Sequence, residues 1–228
     1  MTKPGSTPSH SVPRDGWEDL LQLAFSLLLQ LGILAVLIGA LFRQQWETGF
    51  VATVFFVLTF FPAFIERHWR VHLPVEFTFA NCLFLFAAFV LGEVRDFYER
   101  FWWWDLMLHS LSAVVMGLIG FLLVYVFYRT QRIRMAPLWV AMVSFGFAVT
   151  LGTVWEIFEF LMDQGLRLDM QKSGLADTMT DLMVNTLGGL MAAWGGYHYV
   201  KGSDSLFADR IVKRFVAMNP RLFRSRQG

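Results

Sequence analysis

The sequence predicts an all-α integral membrane protein, built as a six-transmembrane-helix bundle. Apolar residues make up 56% of the 228 residues and charged residues only 16%, whereas a soluble domain usually carries about 25% charged residues. Six apolar segments are long enough to cross a bilayer, and Lys and Arg concentrate on alternate sides of them. The net charge of +1 lacks the basic footprint of a nucleic-acid-binding protein, so nucleic acid is not an expected partner.

The six predicted spans follow from segment length, because a membrane-crossing helix needs about 20 mainly apolar residues. They are residues 20–42, 49–65, 75–92, 106–128, 136–160 and 179–200. Membrane strands are excluded because the runs are too long and do not alternate between apolar and polar residues. Pro62 is expected to kink the second span. The first span is too long for a signal-peptide core, so we expect it to stay in the protein as an anchor.

The distribution of Lys and Arg predicts the orientation. With the N-terminus in the cytoplasm, 14 of the 19 positive residues fall on the cytoplasmic side and the other five on the outer side. This bias agrees with the positive-inside rule at every loop. The sequence therefore predicts a multi-pass membrane protein with both termini in the cytoplasm.

Two terminal segments flank the predicted transmembrane domain, which we assign to residues 17–200. Residues 1–16 contain three prolines, three serines and no apolar run, so we expect a disordered cytoplasmic tail. Residues 201–228 are predicted to form a basic amphipathic cytoplasmic tail with a short helix, which either lies on anionic lipid or is solvated. Its apolar and basic positions, in chain order, are Leu206, Phe207, Arg210, Ile211, Val212, Lys213, Arg214, Phe215 and Val216.

Ionisable residues cluster at the outer ends of the last three spans, at spacings that put each set on one helix face. The sets are Asp105, His109 and Ser112 in the fourth span, Glu156, Glu159 and Asp163 in the fifth, and Asp177, Asp181 and Asn185 in the sixth. His109 lies about 6 Å along its helix from Asp105, and Asn185 about 12 Å from Asp177. The three polar faces are therefore expected at similar depth in the outer half of the membrane.

The chemistry of this cluster suits a divalent metal ion. A charged group inside hydrocarbon costs about 2.5–3.5 kcal/mol on insertion scales, so the acids should face one another or a wet cavity. Carboxylate, imidazole and amide groups together are ligands for divalent cations. We predict the metal ligands to be Asp105, His109, Glu156, Asp181 and Asn185. His109 and Glu156 are the candidate general bases.

Structural explanations compete at several of these positions. Asp105 and Asp177 open helices, so N-capping alone would explain them, and His109 has the alternative of a hydrogen-bonded core residue. Glu159 and Asp163 have the alternative of a place among the lipid headgroups. Another polar pair on the same side, Glu93 and Arg95, either pairs internally or joins the cluster. Capping does not reach Glu156, Asp181 and Asn185, which lie a turn or more inside their spans.

Two stretches of the chain resemble a bacterial inner-membrane family, DUF2238 or YjdF-like. The resemblance covers roughly residues 70–200 and rests on the patterns D-x-x-x-H, W-E-x-x-E and D-T-x-x-D-x-x-x-N. These patterns match Asp105, His109, Trp155, Glu156, Glu159, Asp177, Thr178, Asp181 and Asn185. A looser likeness to VanZ-like membrane proteins concerns the D-x-x-x-H opening and the later acidic span. Neither resemblance implies a named activity.

Three functions are compatible with the residues. The first is an outward-facing metal-dependent enzyme acting on a lipid or lipid-linked group, in which the metal activates water. The second is a cation- or proton-coupled transporter or ion-binding protein, and the third is a non-catalytic membrane scaffold. Membrane lipids are expected partners in all three. Small-residue helix faces also permit helix-mediated homo-oligomers.

The orientation predicts the result of reporter fusions in cells. A reporter that is active only outside the cytoplasm should be active when fused after Lys172, and inactive when fused after Lys201, because one predicted span separates the two sites. Activity after Lys201 with none after Lys172 would invert the topology and move the polar cluster to the cytoplasmic side.

Overall fold

The computed structural model of the chain describes residues 16–130, 135–166, 170–171, 174–202 and 208–223. Within these ranges the regular secondary structure is entirely helical, so the predicted all-α class is confirmed. The predicted N-terminal tail, apart from Gly16, lies outside the described residues, as do Leu206 and Phe207 of the C-terminal pattern.

The helices follow one another with short connections. They are α1 (Trp17–Phe42), α2 (Trp46–Leu58), α3 (Phe61–Trp69), α4 (Val75–Leu85), α5 (Phe97–Arg100), α6 (Trp104–Arg129), α7 (Pro137–Leu166), α8 (Leu175–Val200) and α9 (Ala208–Met218). A π-helix, Phe86–Val94, continues directly from α4.

Four helical stretches of the described chain are long and apolar enough to cross a membrane, namely α1, α4 with its π-helical continuation, α6 and α7. They correspond to the first, third, fourth and fifth predicted spans. The bent pair α2 and α3 brings the number to five. Helix α8 has 26 residues, like α6, but its polar residues and glycines make it less apolar. Length and composition therefore identify four or five of the six predicted spans.

The second predicted span is two helices that meet at 42°, with the break at Thr59 and Phe60. Pro62 has no backbone N–H, so it cannot bond to the carbonyl of Leu58, four residues earlier. Asn81 of α4 occupies that carbonyl instead, with Nδ2 3.1 Å from the Leu58 oxygen and 3.4 Å from the Thr59 oxygen. The predicted kink is confirmed, and its freed carbonyls are satisfied by a neighbouring helix.

Helices α6, α7 and α8 pack on one another through small residues. A β-carbon on Gly117 of α6 would lie 2.4 Å from the β-carbon of Ala192, and one on Gly188 of α8 would lie 2.8 Å from the β-carbon of Ala113. The Ser144 hydroxyl of α7 donates a 2.6 Å hydrogen bond to the Gly117 carbonyl. Close contact therefore fixes the three helices that carry the predicted polar cluster.

The apolar face of α9 packs on the helix bundle. Val212 and Phe215 are buried in one cluster with Phe121 and Tyr125 of α6. The sequence left this tail either on anionic lipid or solvated, whereas Val212 and Phe215 of its apolar face are covered by protein. A helix packed on protein removes more apolar surface from water than a solvated helix does. The packed face therefore needs no lipid to cover it.

Two arginines of α9 pair with acids near the starts of α1 and α4. The Arg214 guanidinium bonds both carboxylate oxygens of Asp19 and lies 3.1 Å from Glu76 Oε1. Arg210 reaches Glu18 at 2.6 Å but is 62% exposed, whereas Arg214 is only 11% exposed. The hydrogen bond from Arg214 to Asp19 raises the pKa of the guanidinium above its usual value. The basic face of α9 is thus partly engaged with protein carboxylates.

Replacing Arg214 with Met should destabilise the protein strongly. The substitution leaves the buried Asp19 carboxylate without its guanidinium and leaves Glu76 with only Arg210, whose Nε is 3.9 Å away. Removing one member of a buried pair typically costs about 3–5 kcal/mol. Arg210→Met, one turn away and solvent-exposed, should cost less than about 1 kcal/mol. Unfolding in detergent micelles measures the stability of both variants. An equal loss of stability would contradict the prediction that the buried pair of Arg214 and Asp19 contributes more than the exposed Arg210.

Candidate metal centre

The candidate site lies between α6, α7 and α8. The first turns of α6, the C-terminal half of α7 and the first half of α8 meet at one end of this three-helix group. The structure brings together the side chains of Asp105, His109, Glu156, Asp181 and Asn185. These are the five predicted metal ligands, and they come from positions up to 80 residues apart.

His109 lies at the centre of the cluster, and its exposed fraction is 8%. Its Nε2 lies 3.6 Å from Asp105 Oδ1, one turn earlier on α6. Its Nδ1 lies 3.5 Å from Glu156 Oε1 of α7 and 3.3 Å from Asn185 Nδ2 of α8. An amide N–H that donates to Nδ1 leaves the proton of the neutral imidazole on Nε2, which faces Asp105. One ring therefore links all three helices.

Two buried carboxylates lack hydrogen-bond donors in the described part of the chain. Glu156 is 3% exposed and Asp181 is 1% exposed, and neither oxygen of either group has a hydrogen-bond partner there. Buried carboxylates normally accept several hydrogen bonds or pair with a cation. A bound cation or a proton would compensate either carboxylate.

The ligating atoms form two groups of three. Asp105, His109 and Asp181 make one group, and His109, Glu156 and Glu159 make the other, with the ligand atoms of each group within 4.8 Å of one another. Imidazole and carboxylate ligands together suit divalent ions such as Mn²⁺ and Zn²⁺. Either group is compact enough to hold such an ion.

Glu159 belongs to this buried cluster. The sequence allowed it to lie among the lipid headgroups, but its exposure is only 9%. The indole N–H of Trp155, one turn earlier on α7, donates a 2.8 Å hydrogen bond to Glu159 Oε1. Trp155 was missed as a member of the site, although the spacing of four residues placed it on the same helix face.

Helix capping does not account for Asp105 or Asp177. The residue that precedes α6 is Trp103 and the one that precedes α8 is Gly174, and neither makes a side-chain cap. The two aspartates lie inside the first turns instead. Asp105 reaches His109, whereas Asp177 is half-buried in the first turn of α8 and belongs to neither ligand group.

Three other predicted members lie outside the two ligand groups. Asp163 accepts hydrogen bonds from the backbone N–H groups of Met170 at 2.8 Å and Gln171 at 2.9 Å, so it organises the segment after α7. Glu93 and Arg95 are exposed at the end of the π-helix. Sequence spacing put Asp163 on the same helix face as Glu156 and Glu159. That spacing could not predict that Asp163 binds the backbone of the following segment instead of joining the site.

Gly152 is a further site residue that sequence reasoning missed. A β-carbon there would lie 2.8 Å from Asn185 Nδ2 and 2.9 Å from Asn185 Cγ. The absence of a side chain therefore lets α8 place Asn185 beside His109. Gly152 precedes Glu156 by one turn on α7, and that spacing is the signal that would have found it.

Tyr98, between the π-helix and α6, was also missed. Its ring packs on Gly92, where a β-carbon would lie 2.3 Å from Tyr98 Cε2. Burial raises the pKa of the Tyr98 hydroxyl, and the nearby carboxylates of Asp105 and Glu93 raise it further. This hydroxyl therefore stays protonated and is a hydrogen-bond donor near the site.

The fold and the site define a class: a helical membrane protein with carboxylates, an imidazole and an amide buried between three of its helices. Residues 25–202 match the family described as predicted membrane protein DUF2238, and the chain belongs to this family. The predicted resemblance is confirmed and extends further toward the N-terminus than residues 70–200. The looser likeness to VanZ-like proteins stays a prediction.

A relative in Thermotoga maritima carries the name "Uncharacterized protein". It is 29% identical to this chain over 140 residues, which cover 59% of this chain and 69% of the relative. No solved structure matches the chain. The function therefore has to be argued from the site itself.

The contact between Gly152 and Asn185 predicts a matched pair of mutants. Gly152→Ala should destabilise the protein by about 1–3 kcal/mol, because the added methyl group has no room and pushes Asn185 away from His109. Gly146→Ala on the same helix meets no atom within 4 Å, so it should be neutral or up to about 1 kcal/mol stabilising. Unfolding in detergent micelles measures the stability of both variants, and equal stability would contradict the proposed steric clash at Gly152.

Proposed function

We propose that this protein is a divalent-metal-dependent membrane enzyme that acts on a lipid or a lipid-linked substrate. The observation that carries the proposal is the burial of Glu156 and Asp181 beside His109, with hydrogen-bond donors missing for both carboxylates in the described part of the chain. A buried carboxylate without a compensating charge is costly. A bound dication compensates that cost and supplies chemistry at the same place.

The residues divide into ligands and a base. Asp105, Asp181 and His109 form one compact ligand group, and Asn185 lies next to it at 3.3 Å from His109 Nδ1. A divalent ion held there would supply an activated water. Glu156, at 3.5 Å from the same ring, is then placed to accept the proton of that water. If the ring is not a ligand, His109 takes the role of base.

The topology is part of the proposal: six spans, with both termini in the cytoplasm of the bacterial inner membrane. The bent pair α2 and α3 serves as the second crossing and α8 as the sixth. The bond between Arg214 of α9 and Asp19 at the start of α1 supports it, because an even number of crossings returns the chain to its starting side. The surplus of Lys and Arg assigns that side to the cytoplasm.

The same topology puts the candidate site on the outer side. His109 and Tyr125, which packs with the α9 cluster, are separated by about 24 Å along α6. The site therefore belongs to the opposite end of the bundle from Arg214. Trp102 and Trp103, exposed at the start of α6, are side chains typical of a membrane–water interface. A substrate anchored in the outer leaflet would meet the site at this level.

A second candidate is a cation- or proton-coupled transporter. The observation that favours it is the bent pair α2 and α3, since broken helices and buried acids are common features of coupled transporters. The two functions differ in what the acids do. In an enzyme they hold the metal through the reaction, whereas in a transporter they release the cation or proton to the other side.

Metal analysis of purified protein tests the proposal. Protein exposed to Mn²⁺ or Zn²⁺ and then desalted should retain a stoichiometric amount of metal, and Asp181→Asn should lose at least one ion per chain. Asp96→Asn is the control, because Asp96 is exposed and pairs only with Arg100 among the ion pairs described. Its metal content should equal that of the wild type.

The alternatives give other results. Cation or proton flux into liposomes that Glu156→Gln abolishes would favour the transporter. Absence of metal and of flux, with Asp181→Asn and Glu156→Gln changing only the melting temperature, would contradict both functions and leave a membrane scaffold.

A further inference from the structure

The candidate centre contains two ligand groups, and His109 belongs to both. Its Nε2 faces Asp105 at 3.6 Å and its Nδ1 faces Glu156 at 3.5 Å. From this arrangement we infer that the centre binds two divalent cations side by side, one with Asp105 and Asp181 and a second with Glu156 and Glu159. This inference rests on the proposed function and extends it, because a single ion would leave the second group unused.

Each group contains its own unsatisfied carboxylate. Asp181 belongs to the first group and Glu156 to the second, and both are more than nine-tenths buried without a hydrogen-bond donor in the described residues. One ion coordinated by Asp181 leaves Glu156 in its unsatisfied state. A buried carboxylate without a hydrogen-bond donor in the described residues therefore occurs in each of the two ligand groups that share the imidazole ring.

The balance of charge points to the same number of ions. Four carboxylates line the two groups, from Asp105, Asp181, Glu156 and Glu159. Helices α7 and α8 contain no Lys or Arg, and the only one in α6 is Arg129, at its far end. Among the residues of these three helices, one dication balances two of the four carboxylate charges, whereas two dications balance all four. Each ion keeps two carboxylate ligands even when the ring ligates only one of them.

The second ion changes the role assigned to Glu156. With one ion, Glu156 is a free base beside the metal. With two ions it would be a ligand and would not serve as the base. The hydrogen bond from Trp155 to Glu159 then orients a ligand carboxylate, as supporting residues around metal sites commonly do.

Mn²⁺ binding to the purified full-length protein tests this inference. Wild-type protein should bind two Mn²⁺ per chain, and Glu159→Gln should bind one, because the amide retains an acceptor for Trp155 but loses the negative charge. Asp181→Asn should also retain one. Glu47→Gln provides the control for the same chemical change, since Glu47 is exposed at the start of α2, and it should keep two.

A spectroscopic measurement on the wild type avoids reliance on variants that fold poorly. Two adjacent Mn²⁺ ions should give an exchange- or dipole-coupled electron paramagnetic resonance spectrum, whereas an isolated ion gives the uncoupled six-line pattern. One ion per chain, lost in Asp181→Asn and unaffected by Glu159→Gln, would overturn the second site and leave the proposed single-metal function standing. Protein that binds no ion would overturn both.

Discussion

The cost of burying carboxylates between apolar helices is the constraint on which the site end of the α6, α7 and α8 group depends. Glu156 and Asp181 are almost inaccessible and lack hydrogen-bond donors in the described chain. Such groups persist in a fold when a positive species compensates them or when they are protonated, and in membrane helices they commonly mark a functional site. The neighbouring imidazole of His109, with Asp105 and Asn185 around it, makes the site chemically specific.

Close helix packing makes that cluster possible. Glycines at the contacts of α6, α7 and α8 allow the backbones to approach, and Gly152 in particular leaves the space that Asn185 occupies. At the opposite end, α9 covers α6 with apolar residues, and Arg214 joins it to the starts of α1 and α4. The protein therefore has one end with ion pairs, and another end where Glu156 and Asp181 lack hydrogen-bond partners in the described part of the chain.

Sequence periodicity predicted which polar side chains share a helix face, because helical geometry is local. Spacings of three and four residues put Asp105 with His109, and Glu156 with Glu159, on single faces, and the structure keeps them there.

Span length was less informative about the number and the bounds of the membrane-crossing helices. A run of apolar residues at 49–65 does not reveal where a helix breaks, and polar site residues make α8 less apolar than a typical span. The packing of α9 was not predictable, since an amphipathic pattern does not specify whether lipid, water or protein covers its apolar face.

The sequence by itself determined the class of protein, the helices and the faces on which the acids lie, because these follow from composition and from a period of 3.6 residues. Only the tertiary structure decided which acids meet. It separated Asp163, which binds a neighbouring loop, from Glu159, which joins His109. It also divided the acids into two groups around one ring. Contacts between helices depend on how each helix is rotated about its axis and on how closely two helices approach at small residues. Residue spacing along a single helix does not determine either of these.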